Sequence, residues 1–319
     1  MKRRIIGWLL LPVILSIVLI PLAGCFQPED NTTTKEVTSL KMGVLPLVSA
    51  LPLFVAVDKG YFAEENLNVE LVTFNSALEE DAALQAGEID GYFNDPINAI
   101  VMINGGVDMS IINSPYIANE EDRMFAILVS PKSSITDVDE LKRVEIAIAY
   151  STNIEYMQDK ILEYYGFTED EIANQEVKQI PVRLQLLLSG ELEAALLPEP
   201  LVSTAELQGA RVIADDRVIS FSETVIALDN SLMQQDPTLK ERFLTACQKA
   251  ANRINTDPES CTELLYTKCS VPEVLQGKYS IPYFVENHVP TEEEIDEIQE
   301  WLVQKGVLNE KLPYDKVVK

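Results

Sequence analysis

The chain is poor in side chains that do covalent chemistry. It holds one histidine, His288, and four cysteines: Cys25 stands alone near the start, while Cys247, Cys261 and Cys269 fall near the C-terminus. There is no paired C-x-x-C, Gly-x-Ser-x-Gly elbow, Gly-rich phosphate loop or His-Glu-x-x-His helix. Neither a metal site nor a cofactor is expected. Cys261 and Cys269 read either as a disulfide in an oxidising compartment or as buried small hydrophobes. Two acidic pairs, Glu88 with Asp90 and Glu191 with Glu193, have a spacing that invites general acid–base chemistry. Each follows a helical segment closed by a glycine (Gly87, Gly190) and precedes a short β run, so they read as structural equivalents in two similar units. What remains is binding chemistry at helix starts, where unpaired N–H groups and partial positive charge gather. Four starts are marked: Ser49 with Pro52, Ser76 with Glu79, Asp95 with Pro96, and Thr152 with Glu155.

The elements that must hold these starts alternate. Short β-rich runs and helical stretches follow one another over residues 40–228, which predicts an α/β chain with mainly parallel sheets flanked by helices. The runs LKMGVLP, NVELVTF, EIDGYF, VDMSIIN and MFAILVS are assigned to a first lobe, and VEIAIAY, EVKQI, EAALLP and ARVIA to a second. ETVIALDN reads as a return crossing, followed by helices over residues 236–256, 258–267 and 290–305. The lobes are then 40–130 joined by 222–319, and 131–221, with two crossings as a hinge. The starts at Ser49, Asp95 and Thr152 directly follow strand ends, where ligands bind in open α/β sheets.

The N-terminal residues belong to another process. Lys2, Arg3 and Arg4 run into an apolar stretch over residues 5–20, which reads as an export signal ending at residue 24. The stretch is also long enough to span a bilayer, but Leu22-Ala23-Gly24-Cys25 resembles a bacterial lipobox, implying lipid on Cys25 and attachment to the outer face of a membrane. Residues 25–39 then form a polar spacer. Removing 24 of 319 residues leaves 295, enough for two lobes. Losing three cations takes the net charge from −26 to −29, which argues against nucleic acid as a partner.

Three segments together resemble the periplasmic-binding-protein family that serves importers of nitrate, aliphatic sulfonates, taurine and the thiamine pyrimidine precursor. They are ALPLFVAVDKGYFAEENLNVELV (50–72), DAALQAGEIDGYFND (81–95) with NGGVDMSII (104–112), and IPVRLQLLLSGELEAALLPEP (180–200). The resemblance implies a type II two-lobed binding-protein fold, a monomer that closes on a small solute, and ABC permease and ATPase subunits as partners. It places the ligand against Ser49, Asn94, Asp95, Ser114, Tyr116, Tyr150, Ser151, Thr152, Asn153, Glu155 and Glu199. Several of these have plainer roles open to them: Ser49, Asp95, Thr152 and Glu155 as caps, Tyr116 and Tyr150 as half-buried aromatics, and Glu199, fixed between Pro198 and Pro200, as a helix-start charge.

Charge separates the candidate ligands. Three carboxylates (Asp95, Glu155, Glu199) face one nearby cation, Arg183, and a like charge about 4 Å from an anion costs about 4 kcal/mol at an effective dielectric near 20. The expected ligand is a nitrogen heterocycle like a thiamine pyrimidine precursor, stacked on tyrosine and bonded to carboxylates. Nitrate, a sulfonate or taurine is the alternative. A pyrimidine-forming enzyme shares the fold, but its chemistry calls for a reactive histidine and a cysteine cluster that the lobes do not supply, so the chain is not expected to be an enzyme. A sensor lipoprotein for a membrane receptor is the remaining alternative.

Overall fold

The computed structural model describes residues 37–319; Cys25, the signal segment and the spacer up to residue 36 lie outside them. The chain starts with β1 (Thr38–Val44), which buries Leu40, Met42 and Val44 on one face. A short 3-10 turn leads into α1 (Leu51–Asp58), with Pro52 in its first turn, where a missing N–H costs nothing. There follow α2 (Tyr61–Glu64), β2 (Leu67–Thr73), α3 (Ala77–Gln85), β3 (Gly91–Asn94), α4 (Pro96–Asn104) and β4 (Met109–Tyr116). After a crossing come β5 (Phe125–Val129), β6 (Glu145–Ile148), α5 (Asn153–Tyr164), β7 (Ala173–Glu176), α6 (Ile180–Ser189), β8 (Ala194–Pro198), α7 (Leu201–Leu207) and β9 (Arg211–Asp215). The return adds β10 (Thr224–Asp229), α8 (Asn230–Gln235), α9 (Leu239–Thr256), α10 (Thr262–Lys268), α11 (Glu292–Gln304) and α12 (Tyr314–Val317).

The strands form two five-stranded sheets, ordered β2-β1-β3-β10-β4 and β7-β6-β8-β5-β9. In each, four strands run in one direction, and the strand that has just crossed, β10 or β5, enters antiparallel between two of them. The sheets therefore have matching plans, with β3 and β8 both central. Gly87 and Gly190, in the left-handed region at φ 70° and 77°, close the helices ahead of these strands. The acidic pairs that follow are structural equivalents.

Phe125–Val129, read from the sequence as a first-lobe strand, belongs to the second sheet. It pairs with β8 along Phe125↔Pro198 to Val129↔Ala194 and with β9 on its other side. Its apolar run is continuous because both faces are covered. Ala126 and Leu128 pack under α6 and α7 with Leu184, Leu187 and Val202, while Ile127 and Val129 join the main core. Burial on both sides selects a strand but names no sheet; the partners decide. The first crossing thus spans 117–124. The strand assigned to EVKQI begins earlier, at Ala173, and stops at Glu176, opposite the end of β6 at Ile148; the Val177 carbonyl beyond it accepts the Arg183 guanidinium.

The lobes also meet along α5 and α11. The Trp301 indole N–H donates to Asp159 Oδ2 at 2.8 Å, Lys305 Nζ lies 2.8 Å from the same oxygen, and Lys160 reaches Glu297 at 2.6 Å. Tyr156 stands edge-on to Trp301, ring centroids 5.3 Å apart. Cys247, Cys261 and Cys269 are buried free thiols, so the three act as small hydrophobes. Among the described residues no helix is long and apolar enough to cross a membrane.

Candidate functional site

A cavity of about 220 Å3 lies between the two sheets. From the first lobe it is lined by the end of β1 and the turn after it (Leu45, Leu47, Ser49), the start of α3 (Ser76, Leu78, Asp81) and the end of β3 with α4 (Phe93, Asn94, Asp95, Asn98). From the second come Phe125, the β6–α5 turn (Tyr150, Ser151, Thr152, Asn153), Ile180, Arg183 and Pro198, with Glu223 and Thr224 at the second crossing. The carboxyl ends of β1, β3, β6 and β8 thus converge on one space, as expected of open α/β sheets.

At its centre one carboxylate caps two helices from different lobes. Asp95 Oδ1 accepts the Asn98 amide of α4 at 2.8 Å, and Oδ2 accepts the Asn153 amide of α5 at 3.2 Å. Pro96 fixes the start of α4. On the other side Thr152 Oγ1 accepts the Ile154 amide, and Ser151, at φ 57°, turns the chain so that its own amide reaches Glu155 Oε2 at 2.7 Å. Asn153 Nδ2 also donates to the Glu223 carbonyl at 3.2 Å. Behind Asp95, its own amide donates to Asn94 Oδ1, and Asn94 Nδ2 donates to Glu80 Oε2, both at 2.8 Å. Glu80 fits because β1 carries Gly43 beside it: a Cβ there would lie 2.6 Å from Glu80 Oε1.

Several acceptors around the cavity have no partner. Asp81 Oδ1, Asn153 Oδ1 and Thr224 Oγ1 are buried without a hydrogen bond, a state that costs about 1–3 kcal/mol per group when nothing compensates it; the buried Glu223 carboxyl instead shares a proton with Asp216. The carboxyls among them have responded by holding protons more tightly. Burial pushes Asp81 up to about 7, with the Asp95 charge adding to it. Burial also lifts Asp95 to about 6, although the Asn98 and Asn153 amides pull it down. Glu80, through burial and the charges of Asp81 and Asp95, and Glu223, through burial and neighbouring Asp216, are raised well above the ordinary range. Opposite them, burial lowers Arg183 to about 9, leaving it charged at neutral pH. It donates to the carbonyls of Val177 and Leu196 and has no carboxylate partner. Among the described residues, no cluster of three or more His, Cys, Asp or Glu side chains is placed to hold a metal ion.

Of the residues expected at the ligand, Ser49, Asn94, Asp95, Tyr150, Ser151, Thr152 and Asn153 line the cavity. Ser49 lies within the 3-10 turn and caps nothing; the residue ahead of α1 is Ala50, without a side-chain bond. Four others point elsewhere. Ser114 Oγ donates to the Thr224 carbonyl at 2.7 Å inside the first sheet, and Tyr116 is fully buried, edge-on to Phe284, with its hydroxyl on the Asp122 carbonyl. Glu155 completes the cap at Ser151 and faces Lys305. Glu199 is drawn away by Arg123, whose Nη2 lies 2.8 Å from Oε1, and by Ser203. Besides Asp95, the acidic residues that line the cavity are Asp81 and Glu223, the latter with its carboxyl shared with Asp216. Asp81 sits in the Glu79-Glu80-Asp81 run of a capped helix, and Glu223 opens the ETVIALDN strand. Neither has a local signal separating it from a solvated charge; the fold turns them inward.

This arrangement of two helix-flanked sheets, two crossings and a cleft at the strand ends is a periplasmic-binding-protein fold. The chain belongs to the NMT1-like family, whose sequence model matches residues 33–266. Solved structures of the same fold include the alkanesulfonate-binding protein SsuA of Xanthomonas axonopodis pv. citri bound to MOPS, at 16% identity and TM-score 0.76, covering 89% of this chain and 99% of that one. The aliphatic sulphonate-binding protein SsuA of Escherichia coli is 17% identical with TM-score 0.74, covering 88% and 92%. The nitrate-binding protein NrtA of Synechocystis PCC 6803 is 17% identical with TM-score 0.65, covering 89% and 86%. No curated protein matches the sequence.

The raised carboxyls set a pH dependence. Asp81 and Asp95 titrate near 7 and 6 in the folded chain against about 3.9 when unfolded. The folded state is the better proton binder, so their contribution to stability is complete below about pH 4 and is lost as pH rises through about 6 and 7. Against it, Glu294 is held low by Thr291 and Ser222 in spite of burial, so stability also falls once the medium is acid enough to protonate it. The melting temperature of the ligand-free protein is expected to rise as pH is lowered from 8 to about 5 and to fall below about 4. Calorimetric melts at closely spaced pH values check this; a melting temperature that falls from pH 8 to 5 contradicts it.

Proposed function

We propose that the protein is the extracytoplasmic solute-binding component of an ABC importer, held to the membrane by lipid on Cys25, and that its ligand is a small nitrogen heterocycle bound between two closing lobes. The observation that carries the ligand class is the set of unpartnered acceptors on Asp81, Asn153 and Thr224. Amino groups supply the donors they lack, and the orphaned atoms then regain hydrogen bonds on binding. Tyr150, Phe93 and Phe125 supply flat faces, and the Arg183 guanidinium suits a ring nitrogen or carbonyl of the same ligand. An aminopyrimidine, donor on one edge and acceptor on another, fits both walls.

One observation favours the alternative, an anion or zwitterion such as nitrate, an alkanesulfonate or taurine: Arg183 is a buried cation without a carboxylate partner. The acceptors opposite it weigh against that choice, since each would face an oxygen-rich ligand with another lone pair. Calorimetry separates the two. An aminopyrimidine is expected to bind the wild-type protein and to bind Asp81→Leu about tenfold or more weakly, the equivalent of about 1.4 kcal/mol. Tight binding of an alkanesulfonate with no response to aminopyrimidines would overturn the ligand class.

The tether is tested separately. Cys25→Ala is expected to leave the membrane fraction while keeping ligand affinity. Unchanged attachment would mean that residues 5–20 span the membrane.

A further inference from the structure

We propose that Asp95 is a specificity-determining residue that bars anions from the cleft by acting as the protein's own anion: its carboxylate occupies the space between the starts of α4 and α5, where the oxygens of a bound anion would otherwise lie. The proposal rests on the reading of the cleft as the ligand site. Two helices of nine and twelve residues, one from each lobe, direct first-turn amides at this single group. Each carboxylate oxygen takes one amide, at 2.8 and 3.2 Å. Two helix N-termini aimed at one point make a strong anion position, because unpaired N–H groups and both helix dipoles favour negative charge there. Here that position is filled from within the chain and buried, with Asp95 only 7% exposed.

The surroundings point the same way. Thr224 Oγ1 and Asn153 Oδ1, in residues 6% and 4% exposed, line the same cavity without a hydrogen-bond partner. An incoming anion would therefore find both amides taken and lone pairs on the neighbouring wall. A ligand carrying N–H groups finds acceptors. Arg183, from the second lobe, already donates through three N–H groups to backbone carbonyls, so it adds positive charge with few donors to spare. The position of Asp95 is itself held: Glu80 fixes Asn94, and Asn94 fixes the Asp95 backbone, so the carboxylate does not swing aside to admit a competitor.

The test uses Asp95→Ser in the full-length mature protein. Serine is a favoured N-cap and keeps α4 closed, but it carries no charge and is too short to reach the α5 amide. Titration calorimetry with methanesulfonate and with sodium nitrate is run on wild type and variant at equal ionic strength, alongside circular dichroism and a thermal melt. The wild type is expected to bind neither anion below millimolar concentration, and the variant to gain at least tenfold for one of them. If the serine variant does not fold, Asp95→Gly, a tolerated N-cap that likewise empties the position, takes its place with the same expectation. A folded variant with no gain overturns the proposal, as does tight anion binding by the wild type. An aminopyrimidine titration in parallel keeps the two ideas apart. If the anion gain appears while no aminopyrimidine binds, the role of Asp95 stands and the heterocycle reading falls; if the heterocycle binds wild type and no anion gain appears, the reverse holds.

Discussion

The double cap at Asp95 is the constraint on which the rest of the site depends. A carboxylate that accepts one amide from α4 and one from α5 fixes the mutual approach of the two lobes at the cleft, because each bond tolerates only a few tenths of an ångström. It also explains why an ionised group is tolerated where burial raises its proton affinity: two helix N-termini supply the positive potential that water would otherwise provide. The contacts of α5 with α11 through Asp159, Trp301 and Lys305 are farther along the same helix. They are partly exposed and accordingly modest in strength. α5 is thus gripped at its start by the first lobe's β3–α4 corner and along its length by α11.

Charge at the cleft is less than the count of acids suggests. Burial raises the proton affinity of Glu80 and Glu223 well above the ordinary range and pushes Asp81 up to about 7, while the charge of Asp95, raised only to about 6, is spent on two helices. What the cavity offers a solute is therefore hydrogen-bond acceptors and a few hydroxyls against aromatic and aliphatic walls, with Arg183 opposite. Apolar lining with a small number of directed polar groups is the usual composition of a small-molecule site. A ligand that binds between lobes and bridges them favours the closed arrangement only through contacts it makes with both, and the acceptors come from both: Asp81 and Thr224 from the first lobe and its crossing, Asn153 from the second.

Local signals carried the framework and failed where distance decided. The caps at Asp95 and Thr152 were legible because capping chemistry is set within three residues, and the helix–Gly–acid–strand units revealed the two matching sheets before any pairing was known. The placement of Phe125–Val129 was not legible, since a strand covered on both faces reads the same in either sheet. Glu199 misled for a related reason. Flanking prolines aimed it, but Arg123, seventy-six residues earlier, claims it. Glu223 and Asp81 went unnoticed because a carboxylate facing a cavity and one facing solvent look alike in sequence. The count of three carboxylates misled too: Glu155 and Glu199 are engaged elsewhere, and Asp95, which remains, is spent on two helix starts.

The central claim is that one carboxylate holds the first turns of two helices in different lobes, and residue-resolved hydrogen exchange at the Asn98 and Asn153 amides tests it directly. In the wild-type protein at neutral pH both amides should be protected to a similar degree, and in Asp95→Ala both should lose protection together while the interiors of α4 and α5 keep theirs. An Asn153 amide that exchanges freely in the wild type while Asn98 stays protected would show that the bridge between the lobes does not exist in solution.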